Sequence, residues 1–124
     1  MPARTPSELH QLFTDALNRG DLQGLLNLYE PDASFVPQPG QVVKGTEAIR
    51  QALQEFLAMK PTIRIETKGI HQAKDLALLR SAWTLECTSP DGKPLKLSGN
   101  ATEVARRQPN GIWLFSIDLP YGTE

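Results

Sequence analysis

The chain has very little cysteine. Cys87 is the only one in 124 residues, so no internal disulfide can staple the fold. No secretory leader is visible either, and a lone thiol then points to a reducing, cytoplasmic setting. Long hydrophobic runs are missing too. No unbroken apolar run exceeds four residues, Leu76–Leu79 being one, whereas a membrane helix needs about 20. Excess charge of either sign is also absent. The 13 Lys and Arg nearly balance the 14 Asp and Glu, and Arg106-Arg107 is the only adjacent basic pair. A nucleic-acid footprint would show as a basic stripe, so that partner class is excluded. The two histidines, His10 and His71, stand apart from each other and from any carboxylate at ligand spacing, so no metal site is expected. The nine glycines are spread singly, without a phosphate-cradling loop, and no cofactor is expected.

The length is present. A chain of 124 residues suits one domain, residues 1–124, that buries roughly two-thirds of its unfolded surface without a metal. Its ends, Met1 to Arg4 and Gly122 to Glu124, read as frayed tails. The second half, Thr62 to Tyr121, carries the strongest pattern. Four extended segments, TIRIETKGIHQA, DLALLRSAWTLECTS, KPLKLSGNATEVARR and IWLFSIDLPY, follow one another. Pro90-Asp91-Gly92 and Pro109-Asn110-Gly111 separate the last three. Asp-Gly and Asn-Gly between apolar runs are hairpin signals, because these residues accept positive φ. The reading is an antiparallel meander, with Gly69 and Gly99 as bulges or bends that curve it.

Helical signals fill the first half. Thr5-Pro6-Ser7-Glu8 is a capping-box start, and Leu9, Leu12, Phe13, Ala16 and Leu17 lie on one helical face up to a stop at Gly20. Asp21 caps a short helix with Leu22, Leu25, Leu26, Leu28 and Tyr29, stopped by Pro31. Ala33 to Val36 is a short strand, broken by Pro37, Pro39 and Gly40, and Val42-Val43 a second one. Ala48, Ile49, Ala52, Leu53, Phe56 and Leu57 mark a third helix ending before Pro61. Each helix has one apolar stripe, which suits packing on a sheet.

Strand parity then assigns faces. Ala77, Leu79, Ser81, Trp83, Leu85 and Cys87 form an inner face. Leu95, Leu97, Gly99, Ala101, Glu103 and Ala105 form another, with Glu103 the one charged exception. In the last strand Trp113, Phe115, Ile117, Leu119 and Tyr121 alternate with Ile112, Leu114, Ser116 and Asp118. Both sets are partly apolar, so the outer face is expected to be covered, by a second subunit.

This order of elements resembles the ketosteroid-isomerase-like, or SnoaL-like, branch of the nuclear-transport-factor-2-like superfamily. The resemblance rests on FTDALNRGDLQGLLNLYEPDASFVPQPG at 13–40, KGTEAIRQAL at 44–53 and RRQPNGIWLFSIDLP at 106–120. It implies an α+β, cone-shaped fold: a curved, mostly antiparallel sheet wrapped around a long N-terminal helix, with two further helices and a cavity open at one end. It also implies a homodimer through the outer sheet face. The family's steroid isomerases use an aspartate base with a tyrosine and a protonated aspartic acid as oxyanion donors. By position the tyrosine falls on Phe13 and the base on Pro37. Only Glu103 keeps an acid, so the steroid isomerase set is incomplete. The His-Asp pairs of dehydratase relatives have no clear counterpart.

The implied pocket, between first helix and sheet, is lined by Phe13, Leu17, Phe35, Pro37, Phe56, Leu79, Trp83, Ala101, Glu103, Ser116 and Asp118. Tyr29 joins the aromatic candidates. Glu103 is read either as a desolvated general acid or as the partner of Arg80, Arg106 or Arg107. Asp118 is read either as a second cavity acid or as a cap of the final turn, since alternation and resemblance disagree about its direction. Trp113 and Tyr121 are candidate interface anchors. Three functions stay open: binding a small apolar or aromatic molecule without the family's known chemistry; isomerase or dehydratase-type proton transfer by Glu103 and Asp118; and a dimeric assembly module.

Overall fold

A computed structural model describes residues 2–122. It contains three helices, α1 (Pro6–Asn18), α2 (Leu22–Leu26) and α3 (Thr46–Leu57). Six strands accompany them: β1 (Tyr29–Gln38), β2 (Gln41–Lys44), β3 (Thr62–Ala73), β4 (Leu76–Thr88), β5 (Pro94–Arg107) and β6 (Trp113–Leu119). All six join in one curved sheet of order β2-β1-β6-β5-β4-β3, antiparallel except where β1 runs parallel to β6. The fold is the α+β cone that the resemblance implies, and the meander of the second half is β3 to β6.

Local chemistry sets the first helix in place. The Glu8 carboxylate accepts from the backbone N–H of Thr5 at 2.9 Å and of Arg4 at 2.8 Å, satisfying donors a helix start leaves orphaned. At the other end Asn18 exchanges two hydrogen bonds with the backbone of Ile63, at 2.8 and 3.1 Å, which ties α1 to strand β3. Leu9 and Leu17 from α1, Leu25 from α2, Ile49 and Leu53 from α3, and Leu79 and Phe115 from the sheet are all but fully buried. Burying each contributes roughly 1.5–3 kcal/mol. Cys87 is a buried free thiol. Among the described residues no helix is long and apolar enough to cross a membrane.

Several expectations need correcting. The second helix does not run to Pro31. It ends at Leu26, and Tyr29 opens β1. The β1–β6 register shifts between Tyr29 and Ser34, so Pro31 sits in an irregular stretch where no ladder donor is demanded of it. For the same reason β1 exceeds the short strand expected at Ala33 to Val36. Ala3 is not frayed: its carbonyl accepts from Trp113 N at 2.9 Å and its side chain is buried. Met1, Thr123 and Glu124 lie outside the described residues. Gly69 does flank a register shift, at Lys68, but β4–β5 pairing runs unbroken through Gly99. There a Cβ would stand 2.8 Å from the Trp83 indole, so Gly99 makes room for a ring rather than a bend. Trp113 is buried in the core with Arg107 over its ring and is no interface anchor, while Tyr121 packs edge-on against Trp83.

The correction that matters most for the site lies in β6. The β5–β6 register moves from Ala105 opposite Phe115 to Val104 opposite Ile117, so Ser116 is an extra residue, a β-bulge. Beyond it the side-chain parity inverts. Phe115 and Asp118 both face inward, and Ile117 turns out to solvent.

Candidate active site

A cavity of about 700 Å³ lies between the helices and the concave face of the sheet. That is within the usual range for small-molecule sites. Its wall is largely apolar: Phe13, Phe35, Pro37, Phe56, Ile63, Ile65, Trp83, Leu85, Ala101 and Phe115. At its rim stand Gln38, Glu55, Lys60, Ser89 and Tyr121. Of the expected lining residues, Leu17 and Leu79 are buried behind the wall instead of bordering the space. Ser116, as the bulged residue, points away and donates its hydroxyl to Glu30.

Four titratable side chains meet inside this wall. The register places Glu103 directly opposite Asp118, with Leu79 beyond Glu103 and Phe35 beyond Asp118, so one row across four strands holds two acids between two apolar residues. Both acids are about 5% exposed and both line the cavity. Each has its own partner. His10 Nε2 lies 2.6 Å from Glu103 Oε1, and Tyr29 donates its hydroxyl to Asp118 Oδ2 at 2.5 Å. Among the described residues, no protein group takes the second oxygen of either carboxyl.

The two acids therefore differ in surroundings. Burial, then the negative charge of Glu103, push the Asp118 carboxyl up to about 8, and the Tyr29 hydrogen bond only partly opposes this. Burial and the same acids hold the Tyr29 hydroxyl well above its ordinary range, so it stays a donor. Two like charges in register on adjacent strands cannot both persist in an apolar wall. Asp118 is the acid pushed toward its neutral form. The arginine pairings considered for Glu103 go elsewhere: Arg106 pairs with Glu30 and Arg107 with Asp75.

In the sequence His10 is a lone histidine without metal-ligand spacing, and nothing there pairs it with Glu103. Its place was legible: it lies three residues before Phe13 and seven before Leu17, on the inward helical face. Nδ1 of the same ring meets Thr67 Oγ1 at 2.7 Å. Tyr29, expected at the end of a helix, instead opens β1, and from there its hydroxyl reaches Asp118. His71, by contrast, is an exposed strand residue. Among the described residues no group of three His, Cys, Asp or Glu could hold a metal ion.

The arrangement has relatives of similar shape. A nuclear-transport-factor-2-like superfamily protein from Salmonella enterica superposes with a TM-score of 0.82 at 18% identity, covering 94% of this chain and 87% of that one. A ketosteroid isomerase-like protein from Erwinia carotovora atroseptica gives 0.80 at 19% identity, over 90% and 88%. A conserved protein from Planctomyces limnophilus gives 0.81 at 22%, also over 90% and 88%. At these identities the likeness is one of fold. No curated protein is similar enough in sequence to match. The sequence itself matches the SnoaL-like domain family over residues 10–113, a span that holds His10, Tyr29 and Glu103 and stops short of Asp118. The chain belongs to the SnoaL-like domain family.

Proposed function

We propose that the cavity is the active site of a proton-transfer enzyme, an isomerase or dehydratase-type lyase acting on a small apolar or aromatic carbonyl compound. The observation that carries this is the cross-strand pair of carboxyls at the wall of an apolar cavity, Glu103 on His10 and Asp118 on Tyr29, with burial pushing Asp118 up to about 8. Glu103, through Oε2, removes a proton from the carbon beside the carbonyl, and the electron pair of that C–H bond moves into an enolate. Asp118, as a neutral acid, donates to the developing oxyanion. Where a hydroxyl sits on the next carbon, the enolate pair forms the double bond, the C–O bond breaks, and the hydroxyl leaves as water with the Asp118 proton. Transfer of the proton from Glu103 to Asp118 then restores both acids. The steroid isomerase set is not reproduced, because Phe13 and Pro37 carry no group for its tyrosine and base roles.

The test is deuterium wash-in. Small enolisable ketones are incubated with the protein in D₂O and followed by NMR. The expected result is exchange that falls at least about 100-fold in Glu103→Gln, the scale of one lost general base, and that declines as pH rises through 8, where Asp118 loses its proton. No exchange above the Glu103→Gln background across the panel overturns the enzymatic reading and leaves a binding cavity.

A separate observation favours a homodimer. Leu78, Val104 and Ile117 are mutual register partners on the outer face, with Leu76 and Leu114 in the next row, and Leu76, Leu78 and Ile117 are each 38–44% exposed. We infer that a second copy covers this strip, since like aliphatic rows complement themselves about a two-fold axis. Native mass spectrometry should give a dimer that Ile117→Lys turns into a monomer. A wild-type monomer at micromolar concentration overturns this.

A further inference from the structure

The cavity differs in charge between its two ends. At the inner end stand Glu103 and Asp118, in register on β5 and β6. The outer end lies where the chain passes from α3 to β3. There Met59 O accepts from the N–H of Thr88, the last residue of β4, at 2.8 Å, and Met59, Lys60, Thr88 and Ser89 all border the cavity. Leu79, the register partner of Glu103, lies nine residues before Thr88 on β4, up to about 30 Å along an extended strand. Ser81, Trp83 and Leu85 line the space between. The cavity is long, largely apolar in the middle and acidic at its inner end.

Lys60 stands at the outer end. Among the described residues it is the one Lys or Arg on the wall. It is exposed and belongs to no ion pair among those residues, and neither does Glu55, the other charged residue of the rim. Its backbone supplies a second observation. The Lys60 N–H donates to Leu57 O at 3.0 Å at the end of α3, and its φ is 52°. That left-handed conformation is costly for a residue with a Cβ, and helix ends commonly place glycine in it. Glycine holds the other positive-φ positions of the described residues except Lys74, in the β3–β4 turn outside the cavity. A long side chain kept where glycine would fit at lower cost, and at a cavity mouth, points to a use for its ammonium group.

We propose that the cavity takes an elongated apolar molecule carrying one carboxylate at its outer end, and that Lys60 is the specificity-determining residue that binds this group. This rests on the reading of the inner acids as the reactive end and names the kind of substrate they would meet. A carboxylate is disfavoured at the inner end, where it would be buried beside two acids. At the outer end it meets an ammonium group in contact with water. The molecule is thus held in one direction, its charged end at the mouth, its apolar body along Trp83 and Leu85, and its carbonyl between Glu103 and Asp118.

The experiment titrates the whole protein with octanoate, dodecanoate and hexadecanoate, and with the alcohols and amines of the same lengths, by isothermal calorimetry. The longer carboxylates should bind about fivefold tighter than the matching alcohols, the upper scale of one solvent-exposed ion pair. Lys60→Gly should bring the carboxylates down to the alcohols and raise the urea midpoint, because the left-handed backbone is then unstrained. Lys60→Arg should keep the preference. Lys74→Gly removes the same charge from a similar backbone conformation outside the cavity, and the preference should survive it. A preference that outlasts Lys60→Gly, or that Lys74→Gly removes equally, overturns the proposal. Tighter binding of the amines, which would assign the mouth to Glu55, overturns it too, as does failure of all three classes to bind. These outcomes need no turnover. Ketone exchange without a carboxylate preference sinks the role of Lys60 alone, whereas a preference without exchange keeps it and sinks the enzymatic reading.

Discussion

Strand β6 serves an acid on each of its faces, and the two acids are treated in opposite ways. On the outer side Glu30 accepts from the Ser116 hydroxyl, from Gln108 Nε2 at 2.9 Å and from Arg106 Nε at 3.1 Å. Burial pushes its carboxyl up, but these donors and the guanidinium charge outweigh that and hold it below the usual range. On the inner side Asp118 has one neutral donor, Tyr29, and a second acid for a neighbour, and it rises to about 8. A carboxyl that is ringed by donors is fixed in one state and serves as a brace. A carboxyl given one donor and a like charge is left able to change state near neutrality. The number of donors and the sign of the neighbour separate a structural acid from a chemical one.

The largest disturbance of this contrast should come from His10→Ala, which leaves Glu103 buried without its partner. Loss of roughly 3–5 kcal/mol is expected, as for half of a buried pair, read by urea unfolding at pH 7. Next is Asp118→Asn, which keeps the shape and an acceptor for Tyr29. The Asp118 carboxyl is raised in the folded state, so the unfolded chain gives up its proton near 3.8 while the folded chain keeps it up to about 8. Wild-type stability from this group is therefore full below 3.8 and falls as pH rises to 8. The asparagine variant lacks that fall. It should match wild type near pH 4 and exceed it by about 2–4 kcal/mol near pH 8.5, and equal stability at both pH values would show that Asp118 is not held neutral.

Gly99→Ala probes how tightly the inner face is packed. The added methyl meets the Trp83 ring at 2.8 Å, and the ring is held by its N–H donating to Pro120 O at 2.6 Å. A cost of about 1–3 kcal/mol is expected, with altered tryptophan fluorescence. The smallest effect belongs to the outer brace. Arg106→Ala should cost under about 1 kcal/mol and less in high salt. A cost as large as that of His10→Ala would erase the distinction between the two faces.

The sequence exposed the fold more fully than the site, and the reasons are physical. Strands announce themselves by period and turn chemistry, and β3 spans Thr62–Ala73, the segment that alternation marks. Glu103 stood out as the one acid in an apolar parity set. His10 could have been placed by the same facial spacing that placed Phe13. Asp118 could not, because a bulge leaves no mark on alternation when both faces of a strand are partly apolar. Tyr29 was hidden by Pro31, which reads as a helix stop whether the residues before it are helical or extended.

The bulge at Ser116 has one more consequence. The direction of Asp118 is set by its pairing with Glu103, and Ser116, outside the ladder, takes up the one residue by which numbering and facing fall out of step. Deleting Ser116 alone would close the bulge into a regular ladder, with Phe115 and Asp118 still facing the wall and Ile117 still facing out. Such a chain should keep the fall in stability between pH 4 and 8 while losing the Ser116 hydroxyl on Glu30, and pH-dependent urea unfolding would reveal it. In this domain one residue held outside the ladder lets an even-numbered acid share a wall with odd-numbered aromatics of the same strand.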